Sequence, residues 1–192
     1  MRIAVIGTGF IGGILGRALA AAGNDVVFGS RHPDDDGGVV GETRARVASI
    51  GDALDGAEVV ILALPGTAVG QLASDQGGAL AGKLVIDATN KLGEGAANSR
   101  AALPASVRYA RAFNTLGGEN MADPVFADGP ADMFFSAPEA DRATVESVIE
   151  GVGLRPVYLG ADQEELADAL FRVWMTLAVG RGRRLAFRLL DH

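Results

Sequence analysis

The chain contains no cysteine in its 192 residues. That excludes disulfides, thiolate metal centres and a cysteine nucleophile, and it fits a reducing cytoplasm. The usual proton-transfer groups are also scarce: two His (His32, His192), two Lys (Lys83, Lys91) and two Tyr (Tyr109, Tyr158). No apolar run reaches the ~20 residues of a membrane span. The N-terminal stretch has the outline of a signal peptide, but Gly7, Gly9, Gly12, Gly13 and Gly16 weaken it as a hydrophobic helix. Positive charge is in deficit, 17 Lys plus Arg against 24 Asp plus Glu, for a net charge of −7. Such a field repels nucleic-acid backbones. With 48% hydrophobic residues and a mean hydropathy of +0.23, the chain has enough apolar surface to fold. These features together predict a soluble, cytoplasmic protein with no nucleic-acid, membrane or metal partner.

Short apolar runs recur along the chain, separated by helical spacing or Gly-rich turns, and this predicts an α/β fold with a doubly wound, mainly parallel sheet. Strands are expected at 2–6, 25–28, 46–49, 58–62, 84–87, 107–113, 133–136 and 156–158, and helices at 10–22 and 138–150. Gly37-Gly38 and Gly77-Gly78 read as surface turns. A long helix is expected from Asp162 toward Leu190, burying Leu166, Leu170, Val173, Trp174 and Leu177. Residues 1–160 then form a Rossmann-like nucleotide-binding domain. Residues 161–192 form a helical segment packed on it or on a second copy in a homodimer.

Gly7-Thr8-Gly9-Phe10-Ile11-Gly12 follows the first strand and opens the first helix. In a G-x-G-x-x-G at that place the first glycine makes the tight turn, the second lets a pyrophosphate approach the backbone, and the third lets helix and strand pack closely. The free N–H groups of the helix start suit the anion. About 20 residues on, where a ribose-binding carboxylate would select NAD, stands Gly29-Ser30-Arg31-His32. A hydroxyl beside a guanidinium suits a 2′-phosphate and favours NADP(H). Asp34-Asp35-Asp36, which would repel that phosphate, read as a solvated loop ending at Gly37.

These residues, with Ala63-Leu64-Pro65, Asp87-Ala88-Thr89-Asn90 and Phe113-Asn114-Thr115, resemble the NADPH:F420 oxidoreductase family across nearly the whole chain. The resemblance implies a Rossmann domain that binds NADP and transfers hydride between NADPH and the deazaflavin coenzyme F420. It further implies that Gly7, Thr8, Gly9, Phe10 and Ile11 hold the pyrophosphate and that Ser30 and Arg31 hold the 2′-phosphate. Leu64 and Pro65 would line the cleft, and Asn90 and Asn114 would face the nicotinamide. Lys91 departs from the family, which often has proline there.

No catalytic acid or base stands out. Lys83 lies before a strand, away from the ligand side of such a sheet, which leaves Lys91 as the one candidate proton donor against a plain surface role. Coenzyme-to-coenzyme hydride transfer needs stacking and water exclusion more than proton transfer. Two other readings stay open: an NADPH-dependent reductase of a flavin, imine or carbonyl, and a non-catalytic NADP-sensing module. Four arginines, Arg181, Arg183, Arg184 and Arg188, are read either as a docking site for the phosphate or polyglutamate tail of F420 or as a solvated helix face.

Overall fold

A computed structural model of the chain describes residues 1–35, 38–41, 43–91 and 97–190. Asp36, Gly37 and His192 lie outside them. The elements follow in the order β1 (Arg2–Ile6), α1 (Phe10–Ala21), β2 (Asp25–Ser30), β3 (Arg46–Ser49), α2 (Ile50–Leu54), β4 (Val59–Leu62), α3 (Val69–Leu80), β5 (Leu84–Asp87) and β6 (Arg108–Arg111). Then come α4 (Gly118–Ala122), β7 (Val125–Phe126), β8 (Gly129–Pro130), β9 (Asp132–Phe135), α5 (Arg142–Gly151), β10 (Arg155–Tyr158) and α6 (Glu164–Arg181).

Six strands form one parallel sheet in the order β3-β2-β1-β4-β5-β6. This is the Rossmann-like order, with its reversal between β1 and β4, both of which are paired along their lengths. Because successive side chains alternate faces, β1 sends Ile3 and Val5 into one apolar cluster with α1 and α5, and Ala4 and Ile6 into another with α2 and α3. Burial on both faces explains the continuous apolar strands. The runs at 133–136 and 156–158 do not join this sheet's parallel ladder. As β9 and β10 they form a separate parallel pair, and Ser136 bridges antiparallel to Arg111.

Three expectations are corrected. Gly77 and Gly78 are not a turn but lie within α3, where burial of Val69, Leu72 and Leu80 offsets about 1 kcal/mol of poor helix propensity per glycine. The expected strand 107–113 is cut to Arg108–Arg111, because Phe113 adopts φ 63° and cannot continue an extended ladder.

The third correction concerns α6. It ends at Arg181, where Gly182 takes φ 86° and turns the chain back. Its buried face is Ala167, Asp168, Phe171, Trp174 and Ala178, so of the five expected core residues only Trp174 is buried; Leu166 and Val173 are about half exposed. The small Ala167 and Ala178 allow close approach, and a buried cation awaiting Asp168 fixes the helix rotation.

Beyond α6, residues 182–190 form a strap across the domain. Asn120 Nδ2 donates to the carbonyls of Arg183 and Leu185, both at 2.9 Å, and Trp174 Nε1 donates to Leu185 O at 2.7 Å. Arg183 pairs with Glu119 at 2.7 Å and stacks 5.3 Å above Trp174, while Arg184 pairs with Asp123 and lies 4.6 Å from the Phe126 ring. Arg188 reaches Pro130 O and Asp132. Three of the four arginines thus make intramolecular ion pairs while staying 34–56% exposed, and they lie on the strap beyond α6 rather than on a helix face.

The Glu119 carboxyl is held below its ordinary range, chiefly by its bond to Arg183. A carboxylate with a lowered folded-state pKa contributes stability that is complete above its unfolded value and lost as pH falls through the folded one. Acid titration below about pH 4 is therefore expected to release the strap before the core. The emission of Trp174, the one tryptophan in the chain, should shift to the red ahead of the far-ultraviolet dichroism. Coincident transitions would refute this.

Candidate functional site

The ligand side of a doubly wound sheet is the crevice beyond the carboxyl ends of its strands, at the order reversal. There a groove of about 580 Å³ is lined by Gly7, Thr8 and Gly9 after β1, Gly29 to His32 at the end of β2, Ala63 to Pro65 after β4, and the α3 face bearing Gln71, Leu72 and Asp75. Seven of the expected site residues, Gly7, Thr8, Gly9, Ser30, Arg31, Leu64 and Pro65, share this groove. Phe10 and Ile11 do not line it. They begin α1 on the side toward Gly118, where Phe10 is 64% exposed.

The glycine loop is built as its spacing predicts. Gly7 has φ +119°, and a Cβ there would stand 2.4 Å from Ala63 O; a Cβ on Gly12 would stand 2.0 Å from Gly7 O. At Gly9, by contrast, a Cβ would meet nothing within 4 Å. Gly9 caps α1 without a side-chain bond, and the first turn carries no acidic residue, so neither a capping side chain nor a nearby carboxylate competes for an anion at this helix start. Ser30 Oγ accepts from His32 N at 3.0 Å, which fixes the turn after β2. Arg31 and His32 line the groove and are exposed, and Asp34 and Asp35, which do not line it, are exposed too.

Beyond the ends of β5 and β6, outside the lining of this groove, lies a buried polar cluster. Arg111 is 0% exposed, yet each of its three nitrogens is engaged. Nε and Nη2 reach Asp168 Oδ1 at 2.9 and 2.8 Å, Nη2 also reaches Asn90 Oδ1 at 3.0 Å, and Nη1 reaches the carbonyls of Asp87 and Thr89. Asp87 accepts from Thr89 N, Ser99 N and the Tyr109 hydroxyl. Burial, reinforced by the charge of Asp87, raises the Tyr109 pKa far above its ordinary value, so the hydroxyl stays a neutral donor. Asp168 also accepts from Asn98 N and Nδ2, at 3.1 and 2.7 Å.

Of the two asparagines expected at the nicotinamide end, Asn90 is half-buried and held by Arg111. Asn114 is fully buried and presents no surface to the crevice; its Nδ2 lies 3.5 Å from Asp168 Oδ1, and its Oδ1 has no hydrogen-bond partner among the described residues. The left-handed Phe113 turns Asn114 inward, a conformation that bulky residues adopt only where the surroundings impose it. Lys91 lies over Gly66, where a Cβ would come 2.6 Å from its Cγ.

Sequence reasoning missed Arg111, Asp87 and Asp168. The signal was present: an arginine between Ala110 and Ala112 in a buried strand requires a carboxylate, and Asp168 stands among the apolar residues of α6. Among the described residues no group of His, Cys, Asp and Glu could hold a metal ion, and no helix is long and apolar enough to cross a membrane.

Comparison with known proteins adds to this geometry. Residues 2–91 match the family model described as NADP oxidoreductase, coenzyme F420-dependent. No curated protein matches the chain. A crystal structure from Arthrobacter sp. FB24, provisionally described as an F420-dependent NADP-reductase, is similar at 25% identity and TM-score 0.84, covering 100% of both chains. A hypothetical protein from Sinorhizobium meliloti is 28% identical, with TM-score 0.72 over 84% of this chain and 85% of that one. An imine reductase of Streptomyces aurantiacus shares the fold at 20% identity and TM-score 0.74, over 92% of this chain but 61% of that one.

Proposed function

On the premise of the family match over residues 2–91, we propose that the chain is an NADP(H)-dependent oxidoreductase whose hydride partner is the deazaflavin coenzyme F420. The observation that carries the reading is the groove itself: an uncapped helix start over the open Gly9, with Ser30 and Arg31 one strand away. A dinucleotide fits these residues. The N–H groups of Gly9 and the first turn of α1 would take the pyrophosphate, Ser30 and Arg31 the 2′-phosphate, and Leu64 and Pro65 would wall the adenosine half. Bound there, NADPH supplies the hydride. The protein orients: Arg111 holds Asn90 after β5, and Phe10 offers an exposed ring beside the glycine loop. Reaction between two redox rings asks the site for alignment and dryness, which is consistent with the lack of an evident proton donor.

A second reading rests on Lys91, whose aliphatic stem lies across Gly66 at the ligand side of the sheet. An imine or carbonyl acceptor needs a proton as well as a hydride, and in this reading Lys91 gives it. One anaerobic experiment separates the two. Mixed with NADPH, the protein is expected to bleach F420 and to prefer NADPH over NADH, with Lys91→Met within about two-fold of wild type. If cyclic imines are reduced instead, and Lys91→Met loses on the order of 10²-fold in kcat, the second reading replaces the first. Tight NADPH binding without turnover of any acceptor would leave the sensing module.

The exposed stripe on α6 bears on assembly. Leu166, Leu170, Val173 and Leu177 follow the 4-3-4 spacing of a coiled-coil seam, and Leu166 and Val173 are half exposed. Acidic Glu164 and Glu165 sit at the start of the helix and basic Arg172 and Arg181 further on, so an antiparallel second copy brings opposite charges together. A homodimer through this face predicts that Val173→Glu halves the mass measured by sedimentation equilibrium. A wild type already monomeric at micromolar concentration rules it out.

A further inference from the structure

The buried cluster beneath Asn90 and Asn114 holds two carboxylates, Asp87 and Asp168, and a single guanidinium, Arg111, all between 0 and 2% exposed. Arg111 lies 2.8 Å from Asp168 and 3.5 Å from Asp87. The Tyr109 hydroxyl and the amide of Asn98 donate hydrogen bonds but no charge. The formal charge sealed inside is therefore −1. Among the described residues, Arg100 and Lys91 flank it. Arg100 stacks on the Tyr109 ring at 5.2 Å, and Lys91 lies over Gly66; both are partly solvated and better screened than the buried acids.

The dyad Arg111–Asp168 is one contact from both asparagines that follow β5 and β6, through Arg111 to the half-buried Asn90 and directly to the buried Asn114. Resting on the reading of an NADP(H) site there, we propose that Asp168 is a positioning residue that sets the redox bias of the bound nicotinamide, favouring the oxidised form and so the donation of hydride by NADPH. The balance is simple. Hydride carries two electrons and a proton to the acceptor, and the neutral dihydropyridine becomes a pyridinium cation. A fixed negative charge in a poorly screened interior stabilises that cation and has no comparable effect on the neutral ring. Asp168 comes from α6, so the C-terminal helix supplies the electrostatics of a site otherwise built by the nucleotide-binding half.

The bias is read in binding, without turnover. Dissociation constants for NADP⁺ and NADPH are measured by titration calorimetry on wild type, Asp168→Asn and Asp168→Glu. The ratio Kd(NADP⁺)/Kd(NADPH) is expected to rise on the order of five-fold in Asp168→Asn and to stay within about two-fold of wild type in Asp168→Glu, which keeps the charge. A purely structural role would move both constants together and leave the ratio alone. Asp87→Asn, which removes the other buried negative charge, has the same expected sign and serves if Asp168→Asn does not fold. An unmoved ratio in a folded neutral variant, or an equal shift in Asp168→Glu, overturns the inference while the cofactor reading stands. Failure of the wild type to bind NADPH overturns both.

Discussion

Asp168→Ala is expected to cost about 3–5 kcal/mol of folding stability, the usual range when one partner of a buried ion pair is removed. The reason is local. Arg111 is wholly buried and gives Asp168 an Nε hydrogen bond and an Nη2 ion-pair contact; without them a guanidinium remains in the interior with Asp87, 3.5 Å away, as its remaining carboxylate. The same deletion strips Asn98 of its two bonds and leaves Asn114, already lacking a partner at Oδ1, without one at Nδ2. Urea unfolding followed at two probes measures the loss. A change below about 1 kcal/mol, the scale of an exposed pair, would mean that water reaches Arg111 in solution.

The second large effect divides the glycine loop into two kinds of position. Gly12→Ala is expected to lose about 3 kcal/mol or more, because its Cβ would sit 2.0 Å from Gly7 O and force α1 away from β1. Gly9→Ala should fold as wild type, with a melting temperature within about 2 °C, since its Cβ meets nothing within 4 Å. Yet that methyl would occupy the space a pyrophosphate needs, so NADPH binding should weaken on the order of 100-fold, or ~2.7 kcal/mol. Melting curves with and without NADPH distinguish the two. If Gly9→Ala binds normally, the anion does not approach the backbone at this glycine and the assignment of the loop falls.

The sequence made the first half of the molecule the more legible. There the strands are buried on both faces and the glycines have mechanical duties, so pattern and position coincide: β1, α1 and β3 appear close to where the residues alone put them. The Rossmann-like order follows from the same alternation. Legibility fails where tertiary contact decides. The α6 sequence offers two apolar stripes one residue apart, Leu166-Leu170-Val173-Leu177 and Ala167-Phe171-Trp174-Ala178, and periodicity cannot choose between them. Arg111 makes the choice by drawing Asp168 inward. At the site, the groove residues were readable because each acts through its own backbone or exposed head. The buried cluster was not, because Asp87, Arg111 and Asp168 acquire their meaning only when two strand ends and a helix from opposite ends of the chain meet.

The strap of residues 182–190 also has a consequence for biosynthesis. Asn120 and Trp174 find their carbonyl partners at Arg183 and Leu185, and the backbone N–H of Asp132 finds its own at Phe187. A nascent chain still tethered to the ribosome at those positions can assemble the parallel sheet, but it must leave the wall beside α4 open, with an indole and a carboxamide waiting for acceptors not yet delivered. Emergence of residues 182–190, rather than of the nucleotide-binding strands, is then the event that closes the molecule, and a chain stalled before it would present that unfinished wall to chaperones.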